Sequence, residues 1–203
     1  MSPAKARPEA ATQTRRNILD QASALLAEGG PDALSMRKLS KRIGASTIVL
    51  YTHFRDKQAI LDELYIEGFE RLQRDLSAVP EDDDPMERVM ALGRAYRRSA
   101  VANPTYYQLM FSRCVPGFDP SPDSRRASRQ AFTILLAAVR RCIDEGHVPP
   151  ADPAETAHTL WGTLHGLISL ELFGYLPPTA SGEARLERAI EILRDGMRHP
   201  NET

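Results

Sequence analysis

Thr47, Ile48, Tyr51, Thr52 and His53 crowd into one short stretch whose other strongly apolar positions, Leu50 and Phe54, lie four residues apart. That spacing puts Leu50 and Phe54 on one face of a helix, and burying them turns the other five side chains outward. The outward set offers hydroxyls, an imidazole and a methyl-bearing chain. Such groups suit base edges, thymine methyls and phosphates, and a DNA major groove is wide enough to admit one α-helix.

The residues on either side are those needed to hold such a helix in place. Upstream, Ser35 is placed to cap a first helix in which Leu39 and Ile43 share a face while Arg37, Lys38, Lys41 and Arg42 surround it. Gly44 can adopt the left-handed backbone that ends that helix, and Ser46 can cap the next, leaving a turn of Gly44, Ala45 and Ser46 between them. Downstream, Asp56 caps a further helix, and Lys57 beside its positive end makes a phosphate clamp.

The run Leu39-Ser40-Lys41-Arg42-Ile43-Gly44-Ala45-Ser46, followed by Leu50-Tyr51-Thr52-His53-Phe54-Arg55-Asp56-Lys57, resembles the signature IAxxxGVSxxxLYxHFxxK of the TetR family of bacterial transcriptional regulators. The resemblance implies that Arg37, Thr47, Ile48, Tyr51 and His53 face bases or nearby backbone and that Lys57 holds a phosphate. Lys38, Ser46 and Thr52 complete the expected DNA-contact set. Two positions depart from the pattern. Ile48 stands where the family often has small residues or proline, and Val49 where it often has a phosphate-binding threonine.

Charge is distributed to match. Residues 1–60 hold ten Lys/Arg against five Asp/Glu, and the rest of the 203-residue chain holds 16 against 22. A basic head on an acidic body suits a protein that meets a polyanion with one end. Cys114 and Cys142 form no metal-ligand pattern and sit among apolar residues, as reduced core cysteines of a cytoplasmic protein do. No apolar run is long enough to span a bilayer, so neither membrane nor secretion is expected.

Residues 1–12, with Pro3 and Pro8, read as a disordered arm, and Lys5, Arg7, Arg15 and Arg16 could carry it toward a minor groove. Ile18, Ala22, Leu25 and Leu26 make Thr14–Glu28 a helix that braces the next two, completing a helix-turn-helix domain over 13–58. A long helix over 56–78, with Ile60, Leu61, Leu64, Phe69, Leu72 and Leu76 as its stripe, then connects this head to a body spanning 59–200. The acidic segment Glu81–Pro85 reads as a solvated cap, not a metal site. Helices are predicted over Pro85–Ala102, Pro104–Arg113, Ser124–Glu145, Pro153–Tyr175 and Glu183–Arg198, with a loop over Pro116–Pro122.

The fold expected is all-α: an N-terminal three-helix helix-turn-helix DNA-binding domain and a C-terminal helical ligand-binding and dimerisation domain. The helix beginning at Pro153 is apolar nearly all round, so one side needs a second subunit as cover. The predicted dimerisation residues are Leu160, Leu164 and Leu167 with Leu186, Ile190, Leu193 and Met197 of the last helix. Trp161-Gly162-Thr163-Leu164-His165-Gly166 resembles the WxxxHG motif of one TetR subgroup. Tyr106, Tyr107, Met110, Phe111, Phe132, Leu136, Trp161 and His165 are candidates for an apolar effector site with a few polar tips.

An enzyme is not indicated. The chain lacks a phosphate-cradling glycine loop and a nucleophile elbow, and His158 and His165 are too far apart for a metal pair on one helix face, so no cofactor or metal is expected. The expected partners are a double-stranded DNA operator, a second copy of the chain and a small-molecule effector that tilts the connecting helix and releases DNA. A regulator without an effector, or a body that binds a protein partner, are the alternatives.

Overall fold

Prolines and capping carboxylates set many of the helix boundaries in the computed structural model, which describes residues 3–112, 115–177 and 180–198, with side chains from Ala11 onward. Among the described residues there are nine α-helices and no strand: α1 (Pro3–Gly29), α2 (Met36–Ile43), α3 (Thr47–His53), α4 (Lys57–Ser77), α5 (Pro85–Ala102), α6 (Pro104–Phe111), α7 (Pro122–Asp144), α8 (Pro153–Leu172) and α9 (Gly182–Arg198). A single 3-10 turn, Pro31–Ala33, separates α1 from α2. Pro85 and Pro153 open their helices where a missing N–H costs nothing, each behind an aspartate. Asp84 accepts from the Met86 amide at 2.9 Å, and Asp152 accepts from Ala154 and Glu155.

The chain forms two compact units, residues 1–69 with 105–126, and residues 70–104 with 127–203. In the first, Ile18, Ala22 and Leu26 of α1 pack with Leu34, Leu39, Leu50, Phe54, Ile60, Leu61 and Leu64 around one apolar core. This is the bracing role expected of the first helix. That core also takes in Leu109 and Val115 from α6 and the segment after it. At Gly68 of α4, an added Cβ would lie 2.6 Å from the Met110 sulfur, so the glycine is what admits α6 this closely. Asp62 of α4 accepts from the Ser121 amide and the buried Ser124 hydroxyl, and Gln58 donates to the Asp119 carbonyl at 2.8 Å. Packing therefore draws the first unit wider than the 13–58 stretch expected for the head.

In the second unit, α5 carries Met86, Val89, Met90 and Leu92 inward, α8 carries Leu160, Leu164 and Ile168, and α9 carries Leu186 and Ile190. Ion pairs join these helices at the rim. Arg97 of α5 grips Glu171 of α8 with bonds of 2.5 and 2.8 Å, and Arg94 of α5 reaches Glu187 of α9. Cys142 is fully buried here, and desolvation pushes its thiol up to about 11, which keeps it protonated. Cys114 lies outside the described residues.

Two expectations change. The first helix starts at Pro3, not Thr14, so residues 3–12, read as an unstructured arm, continue a helix. Pro3 is tolerated in a first turn, and the four alanines among residues 4–12 favour helix, although Pro8 lies inside it and forgoes one backbone hydrogen bond. The connecting helix is also not alone, because α7 too runs unbroken across the boundary between units.

Candidate nucleic-acid interface

The turn that presents α3 follows local backbone chemistry. Ser35 takes an extended conformation and its hydroxyl accepts from the Lys38 amide at 3.2 Å. At the other end of α2, Gly44 adopts φ 69° and donates to the Lys41 carbonyl while Ala45 donates to Ser40, a closure of two carbonyls that only a left-handed residue allows. Ser46 occupies the N-cap position of α3 with an extended backbone, and its side chain makes no cap hydrogen bond. Asp56 caps α4 by accepting from the Ala59 amide at 2.9 Å, and that bond, with the Arg55 guanidinium, holds its carboxyl below the usual range.

Only Leu50 of α3 is buried, and it is completely so. Ile48 is 74% exposed and Tyr51 55%, with Ser46 and Thr52 exposed and Thr47 and His53 half-buried. On α2, Arg37, Lys38 and Lys41 are exposed as well. The predicted DNA-contact residues thus lie on α2, α3 and their flanking positions, each exposed or half-buried. Two lysines are tethered there: Lys38 donates to the Asp32 carbonyl at 2.8 Å and the half-buried Lys57 to Pro31 at 3.3 Å. Each ammonium has three protons, so one internal bond leaves donors for a phosphate. Arg42 is tied to Glu28 by paired 2.6 Å bonds and to Gln21. The Thr52 hydroxyl donates to its own helix, to the Val49 carbonyl at 2.7 Å.

Arg15 is not a groove-reaching side chain. Its guanidinium lies 4.2 Å over the Phe54 ring, donates to the His53 carbonyl at 2.5 Å, and pairs with Glu63 of α4. It thereby pins the C-terminal end of α3 to α1 and α4. The spacing of Arg15, Ile18 and Ala22 on one helical stripe was the available signal, since that stripe faces the core.

The eight effector-site candidates divide between the units. Tyr106, Tyr107, Met110 and Phe111 belong to the first, where Phe111 meets Phe69 at 5.4 Å and Tyr107 at 5.1 Å. Phe132, Leu136, Trp161 and His165 belong to the second. Here the Trp161 indole N–H donates to the Tyr96 oxygen at 3.4 Å, and Tyr96 meets His165 Nδ1 at 2.8 Å. Burial lowers the His165 pKa and favours neutral imidazole, so Nδ1 can accept the tyrosine proton and Nε2 can face Ser169 at 3.4 Å. Phe132 stacks on His158 at 4.6 Å and meets Trp161 edge-on. A separate cleft of about 560 Å³ in this unit is lined by Glu81, Arg88, Thr133, Ile134 and Arg141 among others, and by none of the eight.

Four of the predicted dimerisation residues are spent within one chain. Leu160, Leu164, Leu186 and Ile190 are buried in the core of the second unit and cannot meet a partner, while Leu167, Leu193 and Met197 are half-buried. The face of α8 that remains open carries Thr159, Gly162, Thr163 and Leu170, with Phe173 just beyond, and α9 adds Ile192. Thr159, Gly162 and Thr163, small residues at helical spacing, mark that face in the sequence.

Residues 18–64 match the model of the bacterial regulatory proteins of the tetR family, and residues 89–193, more than half of the chain, match the tetracyclin repressor-like C-terminal domain. The chain belongs to the TetR family. Among relatives of this TetR-family regulator, the HTH-type transcriptional repressor Rv1474c of Mycobacterium tuberculosis is 27% identical over 91% of this chain and 92% of its own. The class D tetracycline repressor of Escherichia coli is 42% identical over 53 residues, 26% of this chain and 24% of that one. A Rhodococcus protein of unknown function has a solved structure that matches with a TM-score of 0.81, at 29% identity, covering 91% of this chain and 95% of that one. The chain is accordingly a DNA-binding transcriptional regulator, as its relatives are, and not an enzyme. No helix among the described residues is long and apolar enough to cross a membrane.

Proposed function

We propose that this TetR-family chain is a homodimeric repressor that binds a palindromic operator and lets go of it when a small apolar effector occupies its body. The observation that carries the dimer is the apolar surface left open by α8 and α9: Leu160 and Leu164 of α8 are buried in their own subunit, yet Leu170 of α8, Phe173 just after it and Ile192 of α9 are exposed. An apolar face with small residues at its centre suits a second copy related by twofold symmetry. Two heads so related meet two inverted half-sites about one helical turn or a multiple of it apart. A relative named as a repressor supports the sign of regulation.

The effector is proposed to rest against Phe132, Trp161 and His165, where apolar rings surround the tips of Tyr96 and His165. Neutral His165 and the Tyr96 hydroxyl can orient one polar group of such a ligand. Coupling can reach only the difference in the effector's affinity for the DNA-bound and released states. Screening apolar compounds by thermal shift tests this, because a bound ligand raises stability by RT ln(1 + [L]/Kd). A compound that stabilises the wild-type protein but not a Trp161→Ala variant should weaken operator binding; one that stabilises it and leaves operator affinity unchanged contradicts gating.

A further inference from the structure

Helix α3 presents an unusual chemistry for a reading helix. Its sequence, Thr47-Ile48-Val49-Leu50-Tyr51-Thr52-His53, contains no arginine, lysine, asparagine or glutamine. Those are the side chains that read guanine or adenine through two parallel hydrogen bonds. The hydroxyl proton of Thr52 is already given to the Val49 carbonyl. What α3 offers most openly is hydrocarbon: Ile48 is 74% exposed in its first turn, the part of a recognition helix that approaches base edges, and Tyr51, three residues on, shares its face.

An isoleucine side chain has no donor or acceptor. On the major-groove edge of the four base pairs, one feature rewards it, the C5 methyl of thymine. We propose that Ile48 sets operator preference by packing on a thymine methyl in each half-site, so that α3 reads sequence chiefly by methyl contact. The inference rests on the DNA-binding reading of this surface and adds the base and the atom group it selects. It also names a second acceptable base, 5-methylcytosine, which carries a methyl at the same place.

The test uses full-length protein and a duplex operator selected from a random pool. Deoxyuridine replaces each half-site thymine in turn, removing a methyl while leaving base pairing intact. At one position, affinity should fall roughly fourfold per half-site, the fold-change expected from losing one buried methyl-sized group. Ile48→Ala should bind the thymine and deoxyuridine operators alike. Its fold is safe, since the site is exposed and alanine favours helix. Changing that thymine to cytosine should weaken wild-type binding, and 5-methylcytosine should recover part of the loss. Wild-type indifference to every deoxyuridine, a thymine preference that survives in Ile48→Ala, or no recovery with 5-methylcytosine would overturn the inference while leaving operator binding intact. If no operator is enriched at all, the DNA-binding reading falls with it.

Discussion

Helix α3 and helix α8 both leave apolar side chains in water, and they do so for different reasons that the sequence discloses unequally. In α3 the buried residue is a lone leucine, so a narrow stripe separates inside from outside and spacing names Ile48, Tyr51 and Thr52 as outward, missing only the exposed Val49. In α8 apolar residues lie almost all round a 20-residue helix, and spacing cannot say which side its own chain covers. The structure assigns Leu160, Leu164 and Ile168 to the inside and leaves Leu170 outside. A hydrophobic pattern therefore locates a surface only where it is incomplete.

The two faces of α8 can be separated by substitution. Leu164→Ala should cost about 2–5 kcal/mol, because it empties a site walled by α5 and α9, and thermal unfolding should report it at any protein concentration. Leu170→Asp combined with Ile192→Asp should instead leave the subunit folded and shift sedimentation from dimer to monomer. If the two variants behaved the same way, the assignment of faces would be wrong.

The pairing of Arg97 with Glu171, which joins α5 to α8, should be worth about 1.5–3 kcal/mol as charge-assisted hydrogen bonds. The Arg97 guanidinium holds the Glu171 carboxyl below its ordinary value. Because the folded state binds that proton less readily than the unfolded chain, this contribution is complete above the usual carboxylate range and disappears as pH falls through the depressed value. Glu171→Gln should accordingly be less stable than wild type at neutral pH, with the difference shrinking in acid; a gap that widened in acid would reverse the assignment.

In the head, Arg15→Ala removes three attachments that fix the end of α3. A loss of about 1 to 2 kcal/mol in stability is expected. Operator affinity should fall with it, although Arg15 touches no base in this account, and sequence preference should stay as it was. A changed preference would make Arg15 a reader after all. Smaller still is Lys57→Ala, which should weaken binding to all duplexes alike and reduce the slope of log affinity against log salt by roughly one. Tyr51→Ala should change which sequences bind. A uniform loss from Tyr51→Ala would place it among the backbone contacts.

The head was legible because its signals are local. A cap at Ser35, a left-handed turn at Gly44 and the apolar pair Leu50 and Phe54 four residues apart each constrain a few neighbouring residues, and the structure satisfies all three. Arg15 and Glu63 were missed because their partnership spans 48 residues and neither type announces burial. The same holds for Asp62, whose carboxylate caps a segment beginning at Ser121. All five helices that follow the connecting helix were legible, three of them because Pro85, Pro104 and Pro153 mark their starts. Which side of each faced its neighbours depended on tertiary choices such as the close approach of Leu164 to Gly93, which leaves no mark on helical periodicity.

The most direct test of the central claim is selection of bound duplexes from a random DNA pool by the purified protein at a stated salt concentration. Enrichment of an inverted repeat, with half-sites spaced by about one helical turn or a multiple of it, is the result this account requires. A folded, dimeric protein that enriched no sequence would contradict it.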